Sequence, residues 1–144
     1  MTMPRIRRAI ADDAPACAAI VRQWLDASDW MPAGPTLETL ETILRQGLPQ
    51  REAYVAEMEN DFLGYLSLDA ATAHIHGLYT GRPGLGTGKA LMDRAKQGRD
   101  QLSLNTHAPN VAAHRFYARE GFTVTQRDIA GDDGIPEMRM EWHR

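Results

Sequence analysis

Three groups of residues have types and spacings that can do chemistry. The first is Gly81-Arg82-Pro83-Gly84-Leu85-Gly86-Thr87-Gly88-Lys89, which follows an apolar run and opens a helical pattern. Glycine lets a backbone approach a ligand closely, and the free amides at a helix N-terminus present partial positive charge to an anion. The second is Asn110-Val111-Ala112-Ala113-His114-Arg115-Phe116-Tyr117-Ala118-Arg119-Glu120-Gly121-Phe122. On a helix, Asn110, Ala113 and Tyr117 stand at i, i+3 and i+7 on one face. Small Ala113 leaves room for a ligand, Asn110 offers a donor and an acceptor, and Tyr117 brings a phenol. Phe116 points toward the core. The third is His74-Ile75-His76-Gly77, whose imidazoles share a strand face and titrate where a base is useful. No third ligand at a motif spacing accompanies the two histidines, so no metal is expected.

Spacing decides which phosphate binder the glycines can form. A P-loop ends Gly-Lys-[Ser/Thr], but here Ala90 takes the hydroxyl position and Pro83 the first glycine. The dinucleotide fingerprint Gly-x-Gly-x-x-Gly fails as well, with Lys89 or Leu91 where its last glycine belongs.

The elements that must position these groups follow from periodicity and turn chemistry. A strand is expected at Arg5 to Ala9, then a helix from Ala14 to Leu25 with Asp12 as its N-cap. A second helix starts behind Thr36 and runs to Gly47, with Leu37, Leu40, Ile43 and Leu44 on one face. Strands Glu52 to Met58 and Phe62 to Leu68 are joined by Glu59-Asn60-Asp61, the turn of an antiparallel hairpin. Ala73 to Tyr79 forms the next strand, and Gly77 inside it marks a bulge that can splay a sheet beside a site. A helix from Lys89 to Gln97, a strand from Leu102 to Thr106 and a helix between Pro109 and Gly121 come next. Strands Thr123 to Ile129 and Met138 to Trp142 close the chain. The order predicts one α/β domain over 1–144, with a mixed, mostly antiparallel sheet of seven strands flanked by four helices.

Composition narrows the class. The 144 residues carry a net charge of −3, with scattered basic residues, which argues against nucleic acid or an anionic membrane as partner. The single cysteine, Cys17, permits neither an internal disulfide nor a cysteine metal cage, and its helical register with Ile20, Val21 and Trp24 assigns it to the core. No secretory or membrane-spanning pattern is present, so a cytoplasmic protein is expected, monomeric or homodimeric.

The two larger motifs together resemble the GCN5-related N-acetyltransferase (GNAT) family. Gly86-Thr87-Gly88-Lys89-Ala90-Leu91-Met92 matches the latter part of that family's [Arg/Gln]-x-x-Gly-x-[Gly/Ala] turn. Residues 110–122 match its Asn-x-x-Ala-x-x-Phe-Tyr-x-x-x-Gly-Phe at every defined position. The loop after Tyr79 is shorter than the family's, and Pro83 stands where Arg or Gln is usual. Pro83 has no amide to donate, so the resemblance rests the coenzyme A diphosphate on Gly84, Leu85, Gly86, Thr87, Gly88 and Lys89. It also implies that the backbone of Leu78, Tyr79 and Thr80 contacts the cofactor, and that Asn110, Ala113 and Phe116 line its path. The activity implied is direct transfer of acetyl from acetyl-CoA to an amine of a small molecule or peptide. A non-catalytic acyl-CoA-binding sensor is the alternative.

Amide formation from a thioester needs a neutral amine, donors for an oxyanion and an acid for the leaving sulfur. Resemblance gives Tyr117 the acid's role. The His-x-His pair resembles that of arylalkylamine N-acetyltransferases, which makes His76 the candidate base, with Glu57 its competitor. The acceptor is expected against the first two helices, with Trp30 and Met31 of their connecting loop in contact with it. Asp26, Asp29 and Glu137 are the acids available to hold a cation.

Overall fold

A seven-stranded sheet, ordered β1-β2-β3-β4-β5-β7-β6, runs through the molecule. The computed structural model describes residues 3–82 and 84–144. The strands are β1 (Arg5–Arg8), β2 (Glu52–Met58), β3 (Asp61–Asp69), β4 (His74–Thr80), β5 (Gln101–His107), β6 (Thr123–Ile129) and β7 (Glu137–His143). The helices are α1 (Ala14–Ala27), α2 (Leu37–Gly47), α3 (Thr87–Lys96) and α4 (Val111–Arg119). Every strand pair is antiparallel except β4 with β5. This is the expected element order and sheet type. Among the described residues, no helix is long and apolar enough to cross a membrane.

Alternation of side chains along the strands builds a core on each face of the sheet. One face gathers Leu63, Leu66, Leu68, Ile75, Leu102, Leu104 and Met140 beneath Leu91 and Met92 of α3. The other gathers Val55 and Tyr65 beneath Cys17, Ile20, Val21 and Leu25 of α1, with Leu40 of α2. Cys17 is fully buried, and burial above all pushes its thiol up to about 12, so it is a core residue without nucleophilic character at neutral pH.

One local expectation is corrected. Asp12 does not cap α1: a short 3-10 turn over Ala11–Asp13 precedes the helix, and Asp13 occupies the N-cap position. The Asp13 carboxylate accepts from the Ile10 amide at 2.8 Å and from both ends of the Arg7 guanidinium at 2.8 and 2.9 Å. That guanidinium, more than any other neighbour, holds Asp13 below the usual carboxylate range. Helix α2 runs between the expected bounds. Its cap is as expected, with Thr36 Oγ1 accepting from the Thr39 amide. Of its four apolar residues, however, only Leu40 is buried, while Leu37 and Ile43 are 47% and 54% exposed.

The hairpin turn places Glu59 and Asn60 at φ 52° and 73°, the left-handed pair that suits the twist of the flanking strands. Strand β4 carries the feature that opens the sheet. Ser67 of β3 pairs with Gly77 and Leu68 pairs with Ile75, so His76 is an extra residue without a cross-strand partner. On its other side β4 pairs with β5 only at His74 and Ile75. Beyond Ile75 the two parallel strands diverge. Among the described residues, the β5-facing edge of the rest of β4 is therefore left without a partner strand, as the glycine in this strand implied.

Candidate active site

Strand β4 leads directly into the glycine turn. Gly84 and Gly86 adopt φ 81° and 73°, conformations that side chains resist. Gly86 is the N-cap of α3 and offers no side-chain hydrogen bond, so α3 starts at Thr87, two residues earlier than periodicity placed it. The first main-chain bond from the helix back to Gly86 is made by the Ala90 amide. The amides of Thr87, Gly88 and Lys89 precede it and have no partner within the helix. They open onto a cavity of about 300 Å³ lined by Thr80, Arg82, Gly84, Leu85, Gly86, Thr87, Gly88, Lys89, Phe116, Arg119 and Glu120. Pro83 falls outside the described residues.

The cradle suits a diphosphate for three reasons. Arg82, Lys89 and Arg119 bring positive charge, and the one acid, Glu120, is already paired with Lys96 at 3.3 Å and Lys89 at 3.7 Å. Glu120, and after it Asp93, raise Lys89 above the usual lysine range, so it stays cationic. Thr87 Oγ1 is buried without a hydrogen-bond partner among the described residues, an orphan donor in the cavity wall. A Cβ on Gly88 would press on the Phe116 ring at 3.2 Å, so helix α3 and the α4 aromatic are fitted to each other.

Helix α4 begins as its sequence suggested. Asn110 is the N-cap, and its Oδ1 accepts from the Ala113 amide at 3.3 Å. This uses the side-chain acceptor on the helix itself and leaves the carboxamide NH₂ for other work. Gly121, at φ 94°, stops the helix. Phe116 does double duty: it packs on the core and lines the cavity. Tyr117 lies against Phe116 and Phe122 at ring separations of 5.5 and 5.7 Å. Burial first, and then the neighbouring Tyr79 phenol, push the Tyr117 hydroxyl well above the ordinary phenol range. It is therefore protonated at neutral pH.

On the other face of the sheet, beside α2, a groove of about 170 Å³ is lined by Ile43, Leu44, Tyr65, Ser67, His76 and Tyr79, among others. The exposed half of α2 thus has a place in this site. His74 and His76 share the face as expected, with rings 5.2 Å apart. His74 is tied by Nδ1 to Ser103 Oγ at 2.8 Å, whereas His76 opens to the groove. Burial first, then the Arg51 charge, lowers the His76 pKa, which favours the neutral imidazole that a base requires. Glu57 is not at this site: it lies two strands away and is ion-paired with Arg7 at 3.2 Å.

Aromatic rings connect the two regions. Tyr79 stacks on Tyr65 at 5.5 Å and meets Trp24 edge-on at 5.6 Å, while Trp24 meets Trp30 at 5.7 Å. Trp30 also lies 5.2 Å from the His107 ring. Met31 folds back onto the core beneath α1 and α2. Asp26 is engaged with Arg22 at 2.9 Å. Sequence reasoning missed the Tyr79 side chain, Trp24, Arg82, Arg119 and Glu120. The last two were accessible, since Arg119 and Glu120 follow Phe116 at i+3 and i+4 on the same helix face.

Comparison with known proteins fits this geometry. The sequence pattern of the acetyltransferase (GNAT) domain matches residues 36–144. The peptidyl-lysine N-acetyltransferase YjaB of Escherichia coli is 31% identical over 135 residues, covering 91% of this chain and 90% of that protein. The solution structure of apo-form YjaB superposes with a TM-score of 0.79 at 27% identity, covering 97% of each chain. A GCN5-related N-acetyltransferase from Rhodopseudomonas palustris shares the fold, with a TM-score of 0.81 at 20% identity over 100% of this chain and 98% of that one. So does YncA of Salmonella typhimurium, a structure holding acetyl-CoA, with a TM-score of 0.69 at 21% identity over 97% and 93%.

Proposed function

This chain belongs to the GNAT family and is an N-acetyltransferase, and from that premise we propose that it moves the acetyl group of acetyl-CoA directly onto the side-chain amine of a lysine in a peptide or protein. What supports the reading is the cationic, amide-lined cradle at the start of α3 together with the protonated Tyr117 phenol on α4, the helix whose Phe116 lines that cradle. The lysine acceptor is supported by the relation to YjaB, named a peptidyl-lysine N-acetyltransferase. Acetyl-CoA is made and used inside cells, which supports a cytoplasmic location.

The bound co-substrate supplies an acetyl carbonyl activated by a thioester. The amides of Thr87, Gly88 and Lys89, with the Thr87 hydroxyl and the Arg82 and Lys89 charges, hold its diphosphate. The unpaired edge of β4 at Leu78, Tyr79 and Thr80 offers main-chain groups to its extended arm and one donor to the carbonyl. Asn110, Ala113 and Phe116 bound the other side of that path. Lysine ammonium, with a pKa of ~10, must lose a proton before it attacks. His76 takes that proton, directly or through water, on the groove side of the sheet. The amine nitrogen then bonds to the acetyl carbon, the carbon–sulfur bond breaks, Tyr117 gives its proton to the departing sulfur, and the second proton that the nitrogen sheds on becoming an amide restores the phenol through solvent. Trp30 forms the outer wall of the acceptor site, and Met31 supports it from beneath.

The direct test follows free thiol release from acetyl-CoA against lysine peptides, other peptide amines and small amines. Release with lysine peptides supports the reading; release only with small amines moves the acceptor assignment, and release with none removes catalysis. The same assay reads the base. A lowered His76 pKa puts the acidic limb of kcat/KM below the ~6.5 of free imidazole, with activity rising as His76 loses its proton. His76→Gln should remove that limb and lower kcat/KM by about 10²-fold. A limb that persists unchanged in the variant assigns the proton to another group.

A further inference from the structure

Away from the glycine cradle, the end of β5 and the turn joining β6 to β7 bring three metal-ligating side chains together. His107 is the last residue of β5, Glu137 is its cross-strand partner on β7, and Asp133 lies in the turn. His107 Nε2 is 2.7 Å from Asp133 Oδ2 and 3.9 Å from Glu137 Oε2, and the three ligand atoms all lie within 4.8 Å of one another.

The other oxygen of each carboxylate is already occupied. The Ile135 amide donates to Asp133 Oδ1 at 2.9 Å, and Asn105 Nδ2 donates to Glu137 Oε1 at 3.3 Å. The oxygens left over face the imidazole. The turn is closed tightly around them, since a Cβ on Gly131 would stand 3.0 Å from both Asp133 Oδ1 and Glu137 Oε2. Two carboxylates held this close repel one another unless a cation stands between them. Hydrogen bonds that fix the unused oxygen of a ligating carboxylate are the usual outer support of a metal site.

We propose that His107, Asp133 and Glu137 bind one divalent first-row metal ion, with zinc the best match to one imidazole nitrogen and two carboxylate oxygens. Bonds of about 2.0–2.2 Å in tetrahedral geometry space ligand atoms roughly 3.3–3.6 Å apart. The observed 2.7 and 3.9 Å bracket that spacing, so small side-chain shifts admit the ion. Water fills the fourth position. The ion takes the place of the proton between Nε2 and Asp133. That proton moves to Nδ1 through solvent if the ring is neutral, and is released if it is an imidazolium. The Trp24 and Trp30 rings lie 5.9 and 5.2 Å from the His107 ring, so the ion would pin the β6–β7 turn to the aromatic wall reached from α1. The site stands independently of acetyl transfer.

The indoles provide the readout. Titration of metal-free protein with Co²⁺ should give visible ligand-field bands and quench tryptophan fluorescence at one equivalent, and Zn²⁺ should displace the Co²⁺. Near-isosteric Asp133→Asn and His107→Ala should each weaken binding by about 10²-fold, and Asn105→Ala by about 10-fold. His74→Ala, on the other histidine pair, should leave binding unchanged. Circular dichroism confirms that each variant is folded. Absence of saturable binding to the wild-type protein overturns the proposal. So does binding that survives both Asp133→Asn and His107→Ala, or that disappears in His74→Ala.

Discussion

Replacing Tyr117 by phenylalanine is expected to lower turnover by about 10²-fold or more while the affinity for coenzyme A changes little. The ring packs between Phe116 and Phe122, and phenylalanine keeps that packing, so the variant removes a proton donor and almost nothing else. Without the donor, sulfur must leave as a thiolate. Burial keeps the Tyr117 hydroxyl protonated, and the adjacent Tyr79 phenol disfavours its ionisation further. Steady-state kcat, together with direct titration of coenzyme A, separates the two effects. Tyr79→Phe is the informative companion, because it preserves the stacking on Tyr65 and the contact with Trp24. A large loss at Tyr117 and a small one at Tyr79 identifies Tyr117 as the acid. The reverse pattern transfers the role to Tyr79.

What was legible in the sequence was local. Gly86 and Gly88 before a helical pattern, and Asn110 through Gly121 around one helix, carry their geometry within a few residues. The bulge in β4 was legible for the same reason: a glycine inside a strand announces it, and the structure places the extra residue, His76, beside that glycine. The misread cap, and what the sequence left unseen, involve distant partners. Asp12 and Asp13 are equal candidates for a cap until Arg7, on a strand, reaches back and engages Asp13 alone. Ile43 has the periodicity of a core residue, but it lines the groove beside His76 and Tyr79 and is 54% exposed. His107 and Asp133 are 26 residues apart and meet only through the pairing of β5 with β7 and the turn before it, which no spacing rule encodes.

The glycines of the cradle make the second large prediction, and each fails for its own reason. Gly88 has no room: a side chain there must displace Phe116, which lines the same cavity. Gly88→Val should raise the coenzyme A dissociation constant by about 10–100-fold, or about 1.4–2.8 kcal/mol. Shortening the obstructing ring with Phe116→Leu should recover part of that loss, a coupling that two independent defects would not show. Gly86 has ample room but sits at φ 73°, where a β-branched residue is strained by at least about 1–2 kcal/mol. Relief of that strain turns the first amides of α3 away from the cavity, so Gly86→Val should also lose affinity. Gly86→Asn should retain most of it, because asparagine tolerates this backbone conformation. Isothermal titration of coenzyme A into the four variants reads each outcome. Wild-type affinity in both valine variants would mean that the diphosphate rests elsewhere. Equal losses in Gly86→Val and Gly86→Asn would mean that the side chain itself, and not the direction of the amides, is what the ligand cannot accept.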